Sequence, residues 1–353
     1  MAKNHCVVLD SRPGEDNVPT VDNFCLKEYP VPDIEDGQIL VKTLCLSVDP
    51  YMRSRFNQHT GTDYMSPWKL DCPIDGGGVG AVVESKSRHF CKGEIVESIH
   101  WPWQEYAMFE VEGFNSLILN KVESELVKSH VSLMLGVLGV PGLTALLGIS
   151  EKGHVTEGAN QTFVVSAAAG ACGSLAGQIA RVEGCTNVVG ICGTEEKCKF
   201  LTDDLKFDAA INYKDDDVDS KLKEYCPGGI DIYFDNVGGQ ISNSVIKQMN
   251  KDSHIILCGQ ISMYNTSQPY PPPLEEDIEN IRQERNITRD RFLVLNYYDQ
   301  FPKALAQLKK WYEEGKLKYR ETISEGLEKA PEAFVSMMSG GNIGKQIVHV
   351  SGP

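Results

Sequence analysis

The sequence predicts an α/β protein in two parts, a β-rich first domain and a doubly wound parallel-sheet domain after it. Three observations carry this. Up to about residue 125, short apolar runs are punctuated by Gly, Pro, Asp and Asn, with no long helical period. Beyond that point, apolar runs alternate with helical stretches, as strand–helix–strand units require. Those later runs are continuous rather than alternating, as expected of strands buried on both faces of a parallel sheet. The 353 residues suffice for about two domains. With 41% hydrophobic and 24% charged residues, a sizeable core is available and general disorder is excluded.

In chain order, Val7-Val8-Leu9, Ile39-Leu40-Val41, Leu44-Cys45-Leu46 and Ala81-Val82-Val83 are the short strands of the first part. In the second part, strands are expected at 162–166, 188–192, 209–212, 230–234, 254–258 and 292–295, with helices at about 173–183 and 195–205. The run Gln268-Pro269-Tyr270-Pro271-Pro272-Pro273 can be neither helix nor central strand and reads as a stiff surface loop. Glu275-Glu276-Asp277 fits a helix N-terminus, where carboxylates oppose the dipole. Phe301, Leu305, Leu308, Trp311 and Tyr312 have helical spacing and read as core contacts. A helix near 331–338, a turn at Gly340-Gly341-Asn342 and a strand at 346–350 close the chain. This last stretch is expected to fold back on the first part. The domains are then 1–126 with 316–353, and 127–315.

Charge excludes some classes of partner. Acidic residues outnumber basic ones 49 to 34, a net −15, which repels nucleic-acid phosphates and leaves no polybasic membrane anchor. Residues 131–149 form an uncharged 19-residue run, but Pro141-Gly142 divides it, so two short buried helices are expected rather than a membrane span. The start carries no apolar leader, and the 11 scattered cysteines read as reduced thiols. A cytoplasmic protein is the expectation.

Ala168-Ala169-Gly170-Ala171-Cys172-Gly173 follows a predicted strand and opens a predicted helix. It is a G-x-G-x-x-G pattern with Ala in first place. Gly170 lets backbone approach a pyrophosphate, Gly173 lets the helix pack closely, and the helix N-terminus aims free N–H groups at the anion. Dinucleotide binding follows. An acid at the end of the second strand would hold a ribose 2′-hydroxyl. Gly193 and Thr194 stand there instead, and Lys197 can meet a 2′-phosphate as a point charge. Tyr213 closes the third strand and can add a hydroxyl or stack. The cofactor expected is NADP(H), although Glu195 and Glu196 compete with that reading. Cys185, Cys192 and Cys198 lack metal-ligand spacing and read as small buried hydrophobes; no metal site is expected.

These motifs, with others along the chain, resemble the medium-chain dehydrogenase/reductase superfamily and, within it, the prostaglandin reductases. The segments that carry the resemblance are Ser47-Val48-Asp49-Pro50-Tyr51-Met52-Arg53, Thr62-Asp63-Tyr64, Trp101-Pro102-Trp103-Gln104, Pro141-Gly142-Leu143-Thr144, Ala167 to Gln178, Asp231 to Gly239, Cys258 to Ser262, Tyr270 to Pro273 and Gly340 to Lys345. The zinc enzymes of that superfamily have a Cys and a Gly-His-Glu where this chain has Ser47-Val48-Asp49 and Gly76-Gly77-Gly78-Val79-Gly80. The resemblance is therefore to the zinc-free branch. It implies a GroES-like first domain, a Rossmann second domain, and NADPH-dependent reduction of the 13,14 double bond of 15-oxo-prostaglandins, a small lipid substrate.

The resemblance also implies site residues. Cofactor contacts carry onto Gly170, Ala171, Cys172, Gly173, Lys197, Tyr213, Asn236, Cys258, Gly259, Gln260, Ile261, Ser262, Met263, Tyr264 and Asn342. Substrate contacts carry onto Ile99, His100, Phe292, Leu293 and Val294. Hydride addition to an enone leaves negative charge on the ketone oxygen, and a neutral tyrosine hydroxyl aimed at that oxygen lowers the barrier. Tyr64 and Tyr264 are placed in that role. A broader enone or quinone reductase and a non-catalytic NADPH binder are the alternatives. A monomer and a homodimer are both compatible with the sequence.

Overall fold

The computed structural model describes residues 3–61, 65–111, 119–122 and 130–352. The chain divides into two units, Met1–Leu135 with Glu321–Pro353, and Gly136–Arg320.

The first unit begins with an antiparallel ribbon of β1 (Lys3–Leu9) and β2 (Phe24–Pro30). Its main sheet contains β3 (Gln38–Ser47), β4 (Asp75–Ser85), β5 (Ile95–Pro102), β6 (Tyr106–Glu110) and β7 (Asn120–Lys121). Two apolar runs read as separate strands from the sequence are one strand here, β3, whose pairing with β4 shifts register twice. The core is aromatic: Phe24, Phe56, Trp68, Trp101, Trp103 and Phe334 are all buried. The glycines of β4 have a packing reason. A Cβ at Gly78 would lie 2.2 Å from Trp101, and one at Gly80 would lie 2.4 Å from the Lys42 carbonyl oxygen.

The second unit opens on a helix, Val140–Gly148, with Pro141 in its first turn. The break in the uncharged run therefore falls before Pro141 and not at it. Proline starts a helix readily, because the first-turn N–H it lacks has no intrahelical partner anyway. Among the described residues no helix is long and apolar enough to cross a membrane.

The sheet of this unit is wholly parallel: β8 (Thr162–Ser166), β9 (Asn187–Cys192), β10 (Ala209–Asn212), β11 (Ile230–Asp235), β12 (Met249–Leu257) and β13 (Thr288–Arg291). Its spatial order is β10-β9-β8-β11-β12-β13. The strand order reverses between β8 and β11, and open α/β sheets bind ligands outside the carboxyl ends of strands at such a point. The expected sixth strand at 292–295 is a correction. β13 ends at Arg291, and Phe292, Leu293 and Val294 lie just beyond its C-terminal end. As an edge strand paired only to β12, β13 has polar side chains, so the apolar run that follows was the stronger signal.

The chain then returns to the first unit. Strands β14 (Glu321–Glu325) and β15 (Lys345–His349) pair in parallel, and β15 pairs antiparallel with β3. The seven-stranded sheet is complete only with these C-terminal strands.

Candidate functional site

The Gly-rich turn follows β8 as its sequence requires. Gly170 caps the helix Ala171–Glu183 with no side-chain hydrogen bond, so the first N–H groups keep their donors available for an anion. Gly173 has a steric reason: a Cβ there would lie 2.4 Å from the Ala167 carbonyl oxygen and 2.9 Å from the Ala168 Cα. Both contacts are to backbone, which cannot swing aside. One turn on, a Cβ at Gly177 would run into the Phe207 ring at 2.0 Å. These absences hold the helix close against the turn.

At the end of β9, Thr194 caps the short helix Glu195–Lys199 by accepting the Lys197 N–H at 3.2 Å. Lys197 is half-buried. Burial lowers its ammonium below the usual lysine range, and the like charge of Lys214 pushes the same way. The two acids that compete for this corner each meet another cation, although the Glu196 charge still acts on Lys197 and raises its pKa. Glu196 lies 3.4 Å from Arg320, and Glu195 lies 3.9 Å from Lys199. The Tyr213 N–H donates to the Cys192 carbonyl at 3.0 Å, and its ring lies so close to Gly193 that a Cβ there would be 2.9 Å away.

A buried polar network ties the loops together beneath the turn. Asp235, at the end of β11 and 1% exposed, accepts from Ser242 at 2.7 Å, from Tyr233 at 3.0 Å and from the N–H groups of Val237 and Gly238 at 3.0 and 2.9 Å. Its own carbonyl accepts from the Cys258 and Gly259 N–H groups, each at 3.0 Å. Asn236 binds Ser166 of β8 twice, through its N–H at 2.9 Å and its amide at 2.8 Å. The loop from Cys258 to Tyr264 is fastened further by Ile261 N–H to Asn236 O and Ser262 N–H to Val237 O, both 3.1 Å. Asp235 is the functional residue that sequence reasoning missed as an organiser. Its role depends on β8, β11 and the helix Gly239–Ile246 meeting, which no local pattern reveals.

Tyr264 is half-exposed, and its hydroxyl accepts the Gln260 N–H at 3.3 Å. The structure thus gathers Gly170, Ala171, Cys172, Gly173, Asn236 and the 258–264 loop at the carboxyl edge of one sheet, with Lys197 and Tyr213 at the next strand ends. Phe292 joins that edge through its N–H to Leu257 O at 3.0 Å. Ile99, His100 and Asn342 belong to the other unit. Thr62, Asp63 and Tyr64 lie outside the described residues.

In that other unit, His100 is held by a charged cluster. Its Nδ1 lies 3.4 Å from Asp75, which also meets Arg55 at 2.6 and 2.9 Å and the Trp68 indole N–H at 3.1 Å. Desolvation raises the Asp75 carboxyl, but its bonds to His100 and Arg55 outweigh this and hold it below the usual range. Asn342 donates its amide to Gly344 O at 2.7 Å.

Known proteins match along the whole chain. Residues 5–117 match a family described as the N-terminal domain of oxidoreductase, and residues 171–310 match one described as zinc-binding dehydrogenase. Among the described residues no group of three or more His, Cys, Asp or Glu is placed to hold a metal ion. The chain is 41% identical to the putative NADP-dependent oxidoreductase YfmJ of Bacillus subtilis, covering 100% of this chain and 99% of that protein. It is 40% identical to prostaglandin reductase 1 of Rattus norvegicus over 94% of each chain. Among solved structures, that of CurA from Vibrio vulnificus in complex with NADPH is 38% identical, with a TM-score of 0.89 over 99% of this chain and 100% of that one. On identity of this level over nearly the full length, with a GroES-like unit and a Rossmann-type unit both in place, the chain belongs to the zinc-independent oxidoreductases of the medium-chain dehydrogenase/reductase superfamily.

Proposed function

We propose that the protein is an NADPH-dependent enone reductase whose substrate is a 15-oxo-prostaglandin, reduced at its 13,14 double bond. The observation that carries this reading is the 258–264 loop, which includes Tyr264, pinned to Asp235 and Asn236 at the carboxyl edge of the same sheet that presents a helix N-terminus fit for a pyrophosphate. Bound NADPH supplies a hydride to the β-carbon of the enone. The chain's own residues do the rest. Gly170 to Gly173 receive the pyrophosphate, since no Cβ and no side-chain cap stands in the way. Lys197, with Tyr213 beside it, receives the 2′-phosphate. Asn236, Asn342 and the 258–264 loop complete the cofactor's contacts.

Tyr264 donates its phenolic proton as a hydrogen bond to the ketone oxygen, where enolate charge builds. One such donor is worth about 3–4 kcal/mol. Tyr64 shares this role, and the α-carbon takes its proton from solvent. Ile99, His100, Phe292, Leu293 and Val294 receive the lipid. A cytoplasmic setting belongs to the same proposal, and the 11 free thiols suit a reducing compartment.

A broader enone reductase is the second reading. It is favoured by relatives named NADPH-dependent curcumin reductase, 35% identical, and 2-alkenal reductase, 40% identical. NADPH oxidation over a panel of 15-oxo-prostaglandins, short enones and quinones decides between them. A kcat/KM highest for the prostaglandins, with a 13,14-dihydro product, is expected. Equal or higher values for short enones favour the second reading, and no oxidation with any enone sinks both.

A further inference from the structure

Two helices begin at the carboxyl edge of the parallel sheet on opposite faces of it. Phe234 and Ile256 lie against Gly148, in the helix that packs with Ala171–Glu183. Their neighbours Tyr233 and Ile255 point the other way and pack with Val245, Ile246 and Ile278. The Gly-rich turn serves the first face. On the second, the start of the helix Gly239–Ile246 opens on a cavity of about 130 Å³. A single water needs only about 10–15 Å³.

Polar groups of opposite need line this cavity. Gln260 is 1% exposed, and its Oε1 has no hydrogen-bond partner among the described residues. Its backbone N–H meets the Tyr264 hydroxyl, but its side-chain amide lies at the helix start, where a Cβ on Gly238 would come within 3.0 Å of the Gln260 Cδ. A buried carbonyl left in this state is costly until a donor arrives. Arg289 of β13 is half-buried, and its one hydrogen bond is to Pro272 O at 3.2 Å. Asp235 and Glu279 act on its charge only from beyond ion-pair reach. Gly238 caps the helix with no side-chain bond, so its first N–H groups are open to an acceptor. The acid in the lining, Glu275, already accepts from the Gln240 and Asn243 amides at 3.0 and 2.9 Å. Met263, Pro273 and Leu274 make the apolar wall.

We propose that this cavity is a second binding site, for a small hydroxy-carboxylic acid. The carboxylate meets the Arg289 fork and the open helix N–H groups, and the hydroxyl donates to Gln260 Oε1. The carbon body rests on the apolar wall. Each part of the ligand answers one part of the lining. A plain carboxylate leaves the Gln260 oxygen unmet, a neutral alcohol leaves Arg289 unmet, and an inorganic oxyanion has nothing to set against Met263 and Leu274. The bound acid bridges β13, the helix and the 258–264 loop, so occupancy holds that loop in place from the face away from the Gly-rich turn. The site does not depend on the cofactor reading, and its binding test needs no cofactor.

The test uses the full chain and two probes, lactate and propionate, which is the same acid without the hydroxyl. Saturation-transfer NMR follows their methyl protons. Saturable lactate binding is expected, with a Kd on the order of 1 mM. Propionate should bind about tenfold more weakly or worse, since it leaves the Gln260 oxygen orphaned. Bound lactate should also slow hydrogen exchange of the amides in residues 260–264. Arg289→Gln should abolish binding of both acids, whereas Gln260→Met should bring the two to similar affinity. Saturating NADP+ should not displace lactate, and inorganic phosphate should displace it no better than propionate does. The proposal is overturned by any of four results: no saturable lactate binding, equal affinity of the parent for lactate and propionate, phosphate as the better ligand, or displacement by NADP+, which would return Gln260 to the cofactor's own site. Lactate binding with unchanged exchange in 260–264 overturns the placement at the loop. Should Arg289→Gln fail to fold, the parent's ratio of lactate to propionate affinity and its loss in Gln260→Met still decide.

Discussion

Lys345 and Lys197 are both drawn out of water, and burial lowers both below the usual lysine range. Their neighbours make them different devices. Lys345, on β15, is 1% exposed and spends its three donors on Val48 O at 2.8 Å, Gln346 O at 2.9 Å and Asp49 at 3.1 Å. Every proton has a partner, so the residue is structural. Lys197 is half-buried, and the like charge of Lys214 lowers its pKa further while Glu196 pulls the other way. A like charge at such a place costs stability in the absence of an anion and favours a dianion when one arrives. Desolvation alone says little about function; the sign of the surrounding charge says more.

The largest effect should come from breaking the structural lysine. Lys345→Met leaves Asp49 without its cation and the Val48 carbonyl without a donor, while Gln346 O keeps only the Val48 N–H at 3.3 Å. Removing one partner of a buried ion pair typically costs about 3–5 kcal/mol. Denaturant unfolding should show that loss. A variant as stable as the parent would erase the contrast drawn above.

Next comes a pair of tyrosines that sharpens the same contrast. Tyr233 is fully buried and bonded to Ser166, Asp235 and Ser242, whereas Tyr264 is half-exposed. Tyr264→Phe should lower kcat on the order of 10²-fold with little change in stability or NADPH affinity. Tyr233→Phe should lower stability by about 1–3 kcal/mol, the cost of orphaned buried partners. Full kcat in Tyr264→Phe, with only a weaker KM, would make that residue a wall of the site.

Lys197→Ala should remove most of a preference for NADPH over NADH that is at least about tenfold in kcat/KM, or 1.4 kcal/mol. It should not destabilise the protein, since relief from Lys214 offsets the lost contacts. Equal use of the two cofactors by the parent would refute the anion role.

The smallest effect concerns His254, whose ring is tilted 44° against that of His154 with centroids 4.3 Å apart. Burial, and then the charge of His154, lower its pKa. Its neutral form is therefore favoured in the folded state. The stability it contributes is present above the ordinary histidine range and is lost as pH falls through that range toward the folded-state value. Unfolding midpoints measured from pH 8 down to pH 5 should fall less in His254→Gln than in the parent.

What the sequence disclosed follows the range of each constraint. The turn at Ala168–Gly173 was legible because its demands are local: no room for a Cβ, and a helix start. The parallel strands were foreshadowed by continuous apolar runs, though not their order in the sheet, and β13 was displaced because its polar residues reflect an edge, a property of the sheet and not of the segment. Pro141 was read as a break when it is a helix start, since a proline is ambiguous until its neighbours are placed. The network around Asp235 joins segments far apart in the chain. Tyr264 entered through family resemblance, and the geometry adds only where its hydroxyl oxygen is already engaged.

The placement of β15 against β3 bears on how the chain is made. Strand β3 leaves the ribosome before β15, with the whole Gly136–Arg320 unit synthesised between them. The nucleotide-binding unit is continuous in sequence and can close its sheet as soon as it emerges. The flanking unit must leave the Cys45–Ser47 end of β3's second edge unpaired until β15 emerges, since β6 already takes Gln38–Lys42 of that edge, and the unpaired end is backbone that another chain could join. There is therefore an interval in which the younger unit can be closed while the older sheet still lacks two of its seven strands, and a ribosome stalled in that interval would present the unpaired end of β3 to other chains.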